Sequence, residues 1–285
     1  MAVTFVAEVS SNHHSDLDRC LSFIDKAAEI GCGAVKFQLF KIREVFAPEI
    51  LAKSEEHRRR GAWELPVEFL PTLTDRCHDL GIGFACTPVY LEAVQELLPY
   101  VDFYKIGSYE LPWVELLNAC AMTGKPVVLS TGMATLEEVR RAVKVVHDAG
   151  CKDLTLLHCI SSYPTPPDEC NLAAIESLRE ACHCPVGWSD HSVNPGVIYR
   201  SVHHWGATMV EFHMDLEGEG AEFGFGHCWL PGQIQPLIET VQIGLEADGD
   251  GRKTPAPSEL PDREWRTDPS DGLRPSLGAR EAWRS

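Results

Sequence analysis

The stretch KPVVLSTGMATLEEVRRAVKVVHDAGCKDLTLLHCI, residues 125–160, contains the pattern that decides the fold. An apolar run at 126–130 is followed by an amphipathic pattern at 136–149 and by a second apolar run at 154–158. Apolar runs without polar alternation are typical of strands covered on both faces. With a helical pattern between them, they predict a parallel strand–helix–strand unit.

The same alternation continues along most of the chain. Six further apolar runs occur, at 4–9, 34–40, 83–86, 101–106, 185–189 and 207–213. Further helical patterns occur at 16–30, 67–80, 91–98, 172–182 and 233–245. Eight apolar runs, with helical patterns clearest in the six segments given, favour an α/β fold of the (β/α)8 TIM-barrel type over an open doubly wound sheet. No glycine-rich dinucleotide motif or Walker motif follows any run, which weakens a nucleotide-binding interpretation.

We expect a single barrel domain over residues 1–246 and an extended polar tail over 247–285. A chain of 285 residues is long enough for one such barrel. After residue 246 the sequence becomes polar and rich in proline, glycine and aspartate, which is typical of a segment packed on a domain or partly disordered. A charged insert at 41–64 follows the second apolar run. It predicts either a solvated helix face or a lid over the barrel mouth.

Charge and composition exclude several classes of function. The formal net charge of −17 argues against a nucleic-acid partner and against an anionic membrane surface. No apolar run approaches the length of a membrane helix, and the N-terminus lacks the pattern of a secretion signal. The eleven cysteines have no tight spacing and predict free thiols in a reducing compartment, so we expect a cytoplasmic protein.

Polar side chains gather where the predicted strands end, the side of a TIM barrel that carries the active site. The two lysines of this set, Lys36 and Lys105, together with several hydroxyls, would make a site for a phosphate or carboxylate. Two histidines on adjacent strand ends, His191 and His213, would make a metal pair. A cluster of this kind predicts a functional site, although each residue alone has a structural explanation.

Seven blocks of sequence resemble the sialic acid synthase family. They read VAEVSSNH, AVKFQ, YKIGSYE, KPVVLSTGMAT, LLHCISSYPTP, GWSDHS and VEFH, and they occur in this order within residues 3–246. The resemblance implies a TIM barrel that condenses phosphoenolpyruvate with an N-acylated aldohexose. The product would be a nine-carbon 2-keto-3-deoxy acid.

The resemblance also implies roles for individual residues. The groups that would hold the phosphate and carboxylate of phosphoenolpyruvate are Lys36, Thr87, Lys105, Ser108, Ser130 and Ser189. His191 and His213 would ligate a divalent metal ion, Mn2+ in most members, with Mg2+ or Co2+ as alternatives. The groups that would face the sugar are Gln38, Glu110, Ser161 or Ser162, Tyr163 and His227.

Three residues are the expected catalytic groups. Glu8 would lie near the metal water, and either Glu8 or Glu110 could move the required protons. His191 is the third expected catalytic group, because it would ligate the metal ion.

Three features depart from the family pattern, all on the sugar side. Family members usually carry a C-terminal antifreeze-like domain, which they exchange in a dimer and which donates an arginine to the sugar site of the partner. The tail of this chain is shorter than that domain. Any homodimer is therefore expected to be of another type, and tail residues 263–266 or 271–275 could replace that arginine. The loop at 217–229 is long and aromatic and lacks the expected aspartate, for which Glu222 is a candidate. The first turn reads N-H-H-S-D, and Tyr109 replaces a common glycine.

We therefore expect an N-acetylneuraminate synthase-like transferase that joins phosphoenolpyruvate to an aldose such as N-acetylmannosamine and releases phosphate. One alternative is the same chemistry on a different aldose. A second is a non-catalytic barrel that binds a sugar. A third, a metal-dependent hydrolase barrel, would want more histidine and aspartate ligands than the strand ends offer.

Overall fold

The computed structural model describes residues 3–284, and in this part of the chain eight parallel strands close into a barrel. The strands are β1 (Thr4–Glu8), β2 (Ala34–Leu39), β3 (Gly83–Pro88), β4 (Phe103–Ile106), β5 (Val127–Ser130), β6 (Leu154–Cys159), β7 (Val186–Asp190) and β8 (Met209–His213). Each strand pairs with the next, and β8 pairs with β1. The predicted TIM-barrel fold is confirmed, and the strand ends differ from the expected ones by no more than two residues.

Helices connect the strands and cover the barrel. They are α1 (Leu17–Glu29), α2 (Ile42–Val45), α3 (Pro48–Lys53), α4 (Glu55–Arg59), α5 (Leu70–Asp79), α6 (Ala93–Leu97), α7 (Val114–Met122), α8 (Leu136–Asp148), α9 (Ala174–Cys182), α10 (Pro195–His203), α11 (Pro231–Ala247) and α12 (Leu277–Glu281). The sequence patterns did not include α7 and α10. The sequence of α7, VELLNACAM, is apolar on most sides and so shows little periodicity.

Local interactions explain why α8 begins where it does. The Thr135 hydroxyl accepts a hydrogen bond from the backbone N–H of Glu138, and the Glu138 carboxylate accepts one from the backbone N–H of Thr135. This reciprocal capping box satisfies donors that the first helical turn leaves unpaired. Val139, Val143 and Val146 then lie on one face of α8 and are buried against the barrel core.

The strand register brings the polar strand ends together. Glu8 at the end of β1 lies opposite Lys36 of β2 on one side and opposite His213 of β8 on the other. Ser189 of β7 lies opposite Glu211 of β8. Lys36 is buried and forms its ion pairs with carboxylates of β1 and β8, so its side chain lies inside the barrel and does not reach out between the helices.

The described chain divides into two compact units between Leu245 and Glu246. The C-terminal unit has short 3-10 turns and the single helix α12, whereas we expected an extended segment. Within this unit Asp268 accepts a hydrogen bond from the backbone N–H of Leu277, and Arg280 pairs with Asp271. Among the described residues of both units, no helix has the length and hydropathy required to cross a bilayer.

Replacing Gly187 by Ala should destabilise the barrel. A Cβ at this position in β7 would fall against the backbone oxygen of Met209 and 2.7 Å from Leu157 Cδ2. Overpacking of this kind costs about 1–3 kcal/mol in the free energy of unfolding, which urea denaturation would measure. Gly232→Ala is the control, because a Cβ there meets no atom within 4 Å. Equal stability of the two variants would contradict the close approach of β7 to β8.

Candidate active site

A cavity of about 790 Å3 opens at the carboxyl ends of the strands. All eight strands contribute to its lining, as expected for the functional end of a TIM barrel. The predicted site residues that line it are Glu8, Lys36, Gln38, Thr87, Lys105, Ser108, Glu110, Ser130, Tyr163, Ser189, His191, His213 and His227. The exception is Ser161, which is not among the lining residues. Its hydroxyl is buried beside Gly132 and has no hydrogen-bond partner among the described residues.

Two buried lysines and two buried glutamates form a network at the base of this cavity. Lys36 Nζ lies 2.7 Å from Glu8 Oε2 and 3.9 Å from Glu211 Oε2. Lys105 Nζ lies 3.4 Å from Glu211 Oε1. Burial opposes the charged form of Lys36, but Glu211 and Glu8 outweigh it and raise the pKa of this lysine. Lys36 is therefore a permanent cation at neutral pH.

Glu211 holds this network together, although sequence reasoning assigned it no role. Burial acts to raise the pKa of its carboxyl, but Lys105 and Lys36 prevail and lower it to about 2. The Ser189 hydroxyl also donates to Glu211 Oε1 at 3.2 Å. The signal that could have found Glu211 is its position two residues before His213, on the same inward face of β8.

Hydroxyl groups surround the lysines. Thr87 accepts a hydrogen bond from Lys36 Nζ at 3.2 Å. Ser108 Oγ accepts one from the backbone N–H of Gly132 at 3.0 Å, and Ser130 is buried at the end of β5. Ammonium and hydroxyl donors in a partly water-excluded cavity make a site suited to phosphate and carboxylate groups.

His191 and His213 form an adjacent pair, with ring centroids 5.3 Å apart. His191 Nδ1 lies 2.8 Å from the carbonyl oxygen of Ile160, which can only accept, so Nδ1 carries the proton. Burial lowers the pKa of His191 to about 3, with a smaller contribution from His213. The ring is therefore neutral, and its Nε2 lone pair is free to bind a metal ion.

His213 is oriented in the same manner by an acidic partner. Its Nδ1 lies 3.1 Å from Glu222 Oε2. Burial acts to lower the pKa of His213, but the hydrogen bond and charge of Glu222 outweigh it and raise the pKa. A carboxylate on Nδ1 is a common partner of a metal-binding histidine and leaves Nε2 as the ligand atom.

The loop between β8 and α11 adds further groups beside His213. His227 Nε2 lies 3.5 Å from Glu222 Oε2, and His227 Nδ1 is buried without a partner among the described residues. The ligand atoms of His213, Glu222, His227 and Cys228 all lie within 4.8 Å of one another. The expected sugar-facing residues Glu222 and His227 therefore lie within reach of a metal at His213 as well as lining the cavity.

The two carboxyl groups predicted to move protons, those of Glu8 and Glu110, both line the cavity. Glu8 Oε1 accepts a hydrogen bond from Gln38 Nε2 at 2.6 Å, which orients Glu8 toward the cavity. Glu110 lies on the β4 side, where burial raises the pKa of its carboxyl. A raised pKa favours a protonated carboxyl that can act as a general acid.

A buried aspartate positions the two histidines of the predicted metal site. Asp190 accepts hydrogen bonds from the indole N–H groups of Trp188 and Trp229, each at 3.0 Å, and from the Ser192 hydroxyl. The backbone N–H of Trp229 donates to the carbonyl oxygen of His213. Asp190 therefore ties the end of β7, next to His191, to the loop that follows His213. His158, a further strand-end histidine, has a structural contact instead, with Nε2 3.0 Å from the Cys170 carbonyl oxygen.

Replacing Glu211 by Gln should destabilise the ligand-free protein by about 3 kcal/mol at neutral pH, because two buried lysines then share one anion fewer. The stabilisation from Glu211 is present above the ordinary pKa of 4.5 and is lost as the pH falls toward the folded value of about 2. Urea denaturation across this range should show the two proteins converging in acid. Glu137→Gln, at an exposed ion pair with Arg141, is the control. Equal stability of both variants at pH 7 would refute the network.

Comparison with known proteins identifies the family. The NeuB family model matches residues 23–253. An uncharacterized protein of Methanocaldococcus jannaschii is 36% identical over 89% of this chain and 74% of its own length. An N,N'-diacetyllegionaminic acid synthase of Legionella pneumophila is 30% identical over 92% of this chain and 78% of its own. The solved N-acetylneuraminic acid (sialic acid) synthetase of Leptospira borgpetersenii superposes with a TM-score of 0.82 at 28% identity, covering 95% of this chain and 93% of that chain. The chain therefore belongs to the NeuB family.

Proposed function

We propose that the protein condenses phosphoenolpyruvate with an aldose, such as N-acetylmannosamine, to give a nine-carbon 2-keto-3-deoxy sugar acid and inorganic phosphate. The observation that carries this proposal is the buried Lys36–Glu211–Lys105 network next to the His191–His213 pair. A site for a small acid with a phosphate and a carboxylate and a site for a divalent ion would then share one cavity. Relatives that are named as synthases of legionaminic, pseudaminic and N-acetylneuraminic acids support the same reaction class.

The reaction needs three changes of bonding. Carbon 3 of phosphoenolpyruvate forms a bond to the aldehyde carbon of the open-chain sugar, and the aldehyde oxygen takes up a proton. Carbon 2 takes a hydroxyl from water, and its bond to the phosphate oxygen then breaks as the ketone forms. Phosphoenolpyruvate, aldose and water thus balance against the keto acid and phosphate.

The residues of the cavity suit each change. Lys36 and Lys105 neutralise the phosphate and carboxylate and hold the leaving phosphate. Glu110 has the raised pKa that suits it to donate a proton to the aldehyde oxygen. Glu8, oriented by Gln38, is the candidate base for the water that adds to carbon 2.

The residues present fit a divalent metal ion. His191 and His213 have their Nδ1 atoms engaged by Ile160 and Glu222, which leaves both Nε2 atoms as ligands. His227, whose buried Nδ1 has no partner among the described residues, belongs to the group of possible ligands around His213. Mn2+ is the proposed ion, with Mg2+ or Co2+ as alternatives. When bound, it would act as a Lewis acid on the aldehyde carbonyl.

Phosphate release from phosphoenolpyruvate tests the proposed reaction. With Mn2+ and a panel of N-acetylmannosamine, mannose and diamino sugars, release should require an aldose and should stop on chelation. In water labelled with heavy oxygen, the label should enter the keto acid and not the phosphate, because the bond at carbon 2 is the one that breaks. Labelled phosphate would show hydrolysis at phosphorus and would contradict the proposal.

Binding of Mn2+, followed by the electron paramagnetic resonance of the free ion, tests the metal site. His191→Ala and His213→Ala should each weaken binding at least about tenfold, whereas His204→Ala, at an exposed position on another part of the barrel, should not. Protons compete with the ion for His213, so binding should weaken as the pH falls through its raised pKa. Binding that survives in His191→Ala but is lost in His227→Ala would move the ion to the β8–α11 loop.

A further inference from the structure

The insert after β2 forms an aromatic wall of the cavity. The wall consists of Ile42, Val45, Phe46, Arg60 and Trp63, all from residues 41–64. The four uncharged members are apolar, in contrast to the lysines and hydroxyls at the base of the cavity. None of these side chains has a role in the proposed reaction.

The two ends of the insert are joined to each other, and its C-terminal end is also bonded to the loop after β1. The Glu64 side chain accepts a hydrogen bond from the backbone N–H of Ile42 at 2.6 Å. The Ser15 hydroxyl, in the loop after β1, lies 2.8 Å from the carbonyl oxygen of Glu64 and 3.0 Å from that of Ala62. The insert therefore presents its side chains from a fixed position, as a binding surface must.

Three consecutive arginines of the insert have different surroundings. Arg58 donates to the carbonyl oxygen of Leu51, and Arg59 is 77% exposed and pairs with Glu55. Arg60 alone of the three lines the cavity. Its side chain is 39% exposed.

The Arg60 guanidinium is held between aromatic rings. Its carbon lies 5.8 Å from the ring centroids of both Phe46 and Trp63. Glu56, itself largely exposed, lies 3.3 Å from Arg60 Nη2, and the other guanidinium N–H groups have no hydrogen-bond partner within residues 3–284. A cation held against aromatic faces is preoriented to donate hydrogen bonds into the cavity.

This combination matches an amide group better than a second phosphate. A phosphate is usually held by several charged donors, and Arg60 is the sole arginine among the described residues that line the cavity. An acylamido substituent has a carbonyl oxygen that can accept from a guanidinium. It also has a methyl group that can pack on the faces of Phe46 and Trp63.

We propose that Arg60, with Phe46 and Trp63, is the specificity-determining element of the acceptor site and binds an acylamido group of an aldose without a phosphate. The proposal rests on the proposed function for the identity of the acceptor as an aldose. It assigns recognition of the acceptor to the insert of the same chain.

Saturation-transfer nuclear magnetic resonance with N-acetylmannosamine tests this without turnover. In the wild type, irradiation of the protein should saturate the acetyl methyl protons strongly. Arg60→Ala should lose most of this signal, because Arg60 lines the cavity. Arg59→Ala is the matched control and should keep the signal. Each variant removes the arginine of an i,i+4 ion pair, but Arg59 does not line the cavity. No binding by the wild type, or equal signals from the two variants, would overturn the proposal.

Kinetics separate this proposal from the proposed function. If phosphate is released, Arg60→Ala should raise the aldose KM by about tenfold and leave the phosphoenolpyruvate KM unchanged. Mannose, which lacks the amide, should show little dependence on Arg60. If the methyl saturation depends on Arg60 but no phosphate is released, the role of the aromatic wall in acceptor binding is supported and the synthase reaction is refuted. Tighter binding of N-acetylmannosamine 6-phosphate that depends on Arg60 would overturn the acylamido assignment.

Discussion

The site depends on the buried charges shared by β1, β2, β4 and β8. Lys36, Lys105, Glu8 and Glu211 are each at most 5% exposed, and removal of a charge from water costs several kcal/mol unless a partner compensates. The closed barrel supplies these partners, because its register places Glu8 between Lys36 and His213. A substrate with a phosphate and a carboxylate would compete with the glutamates for both lysines. The base of the cavity is therefore arranged to exchange one set of anions for another.

The loops around this base are held rigidly. Arg19 pairs with the buried Asp215 at 2.9 Å, and Asp215 accepts the backbone N–H groups of Gly218 and Gly220. These contacts shape the loop that presents Glu222. Backbone strain occurs in the same region, since Val193 after β7 has a φ of 49° that is rare for a β-branched residue. A strained backbone conformation of this kind persists only where the surrounding contacts hold it in place.

The fold and most of the lining of the site could be predicted from sequence because the strand–helix alternation is local. Lys36 shows the limit, since its apolar neighbours were compatible with either direction, and only its buried ion pairs with Glu8 and Glu211 show that it points inward. The alternation along β8 places Glu211 on the same face as His213, but the ion-pair partners of Glu211 come from other strands. The partners of Asp190 likewise include a loop residue, Trp229, and no local pattern identifies such partners. Arg60 lies in a charged run that resembles a solvated helix face, and only the packing of the insert separates it from Arg59.

A crystal structure of the protein with Mn2+ and phosphoenolpyruvate, with anomalous scattering from manganese, tests the central claim most directly. The account predicts an anomalous peak between His191 and His213, with the phosphate and carboxylate against Lys36 and Lys105. A peak among Glu222, His227 and Cys228 without His191, or a phosphate remote from both lysines, would contradict it.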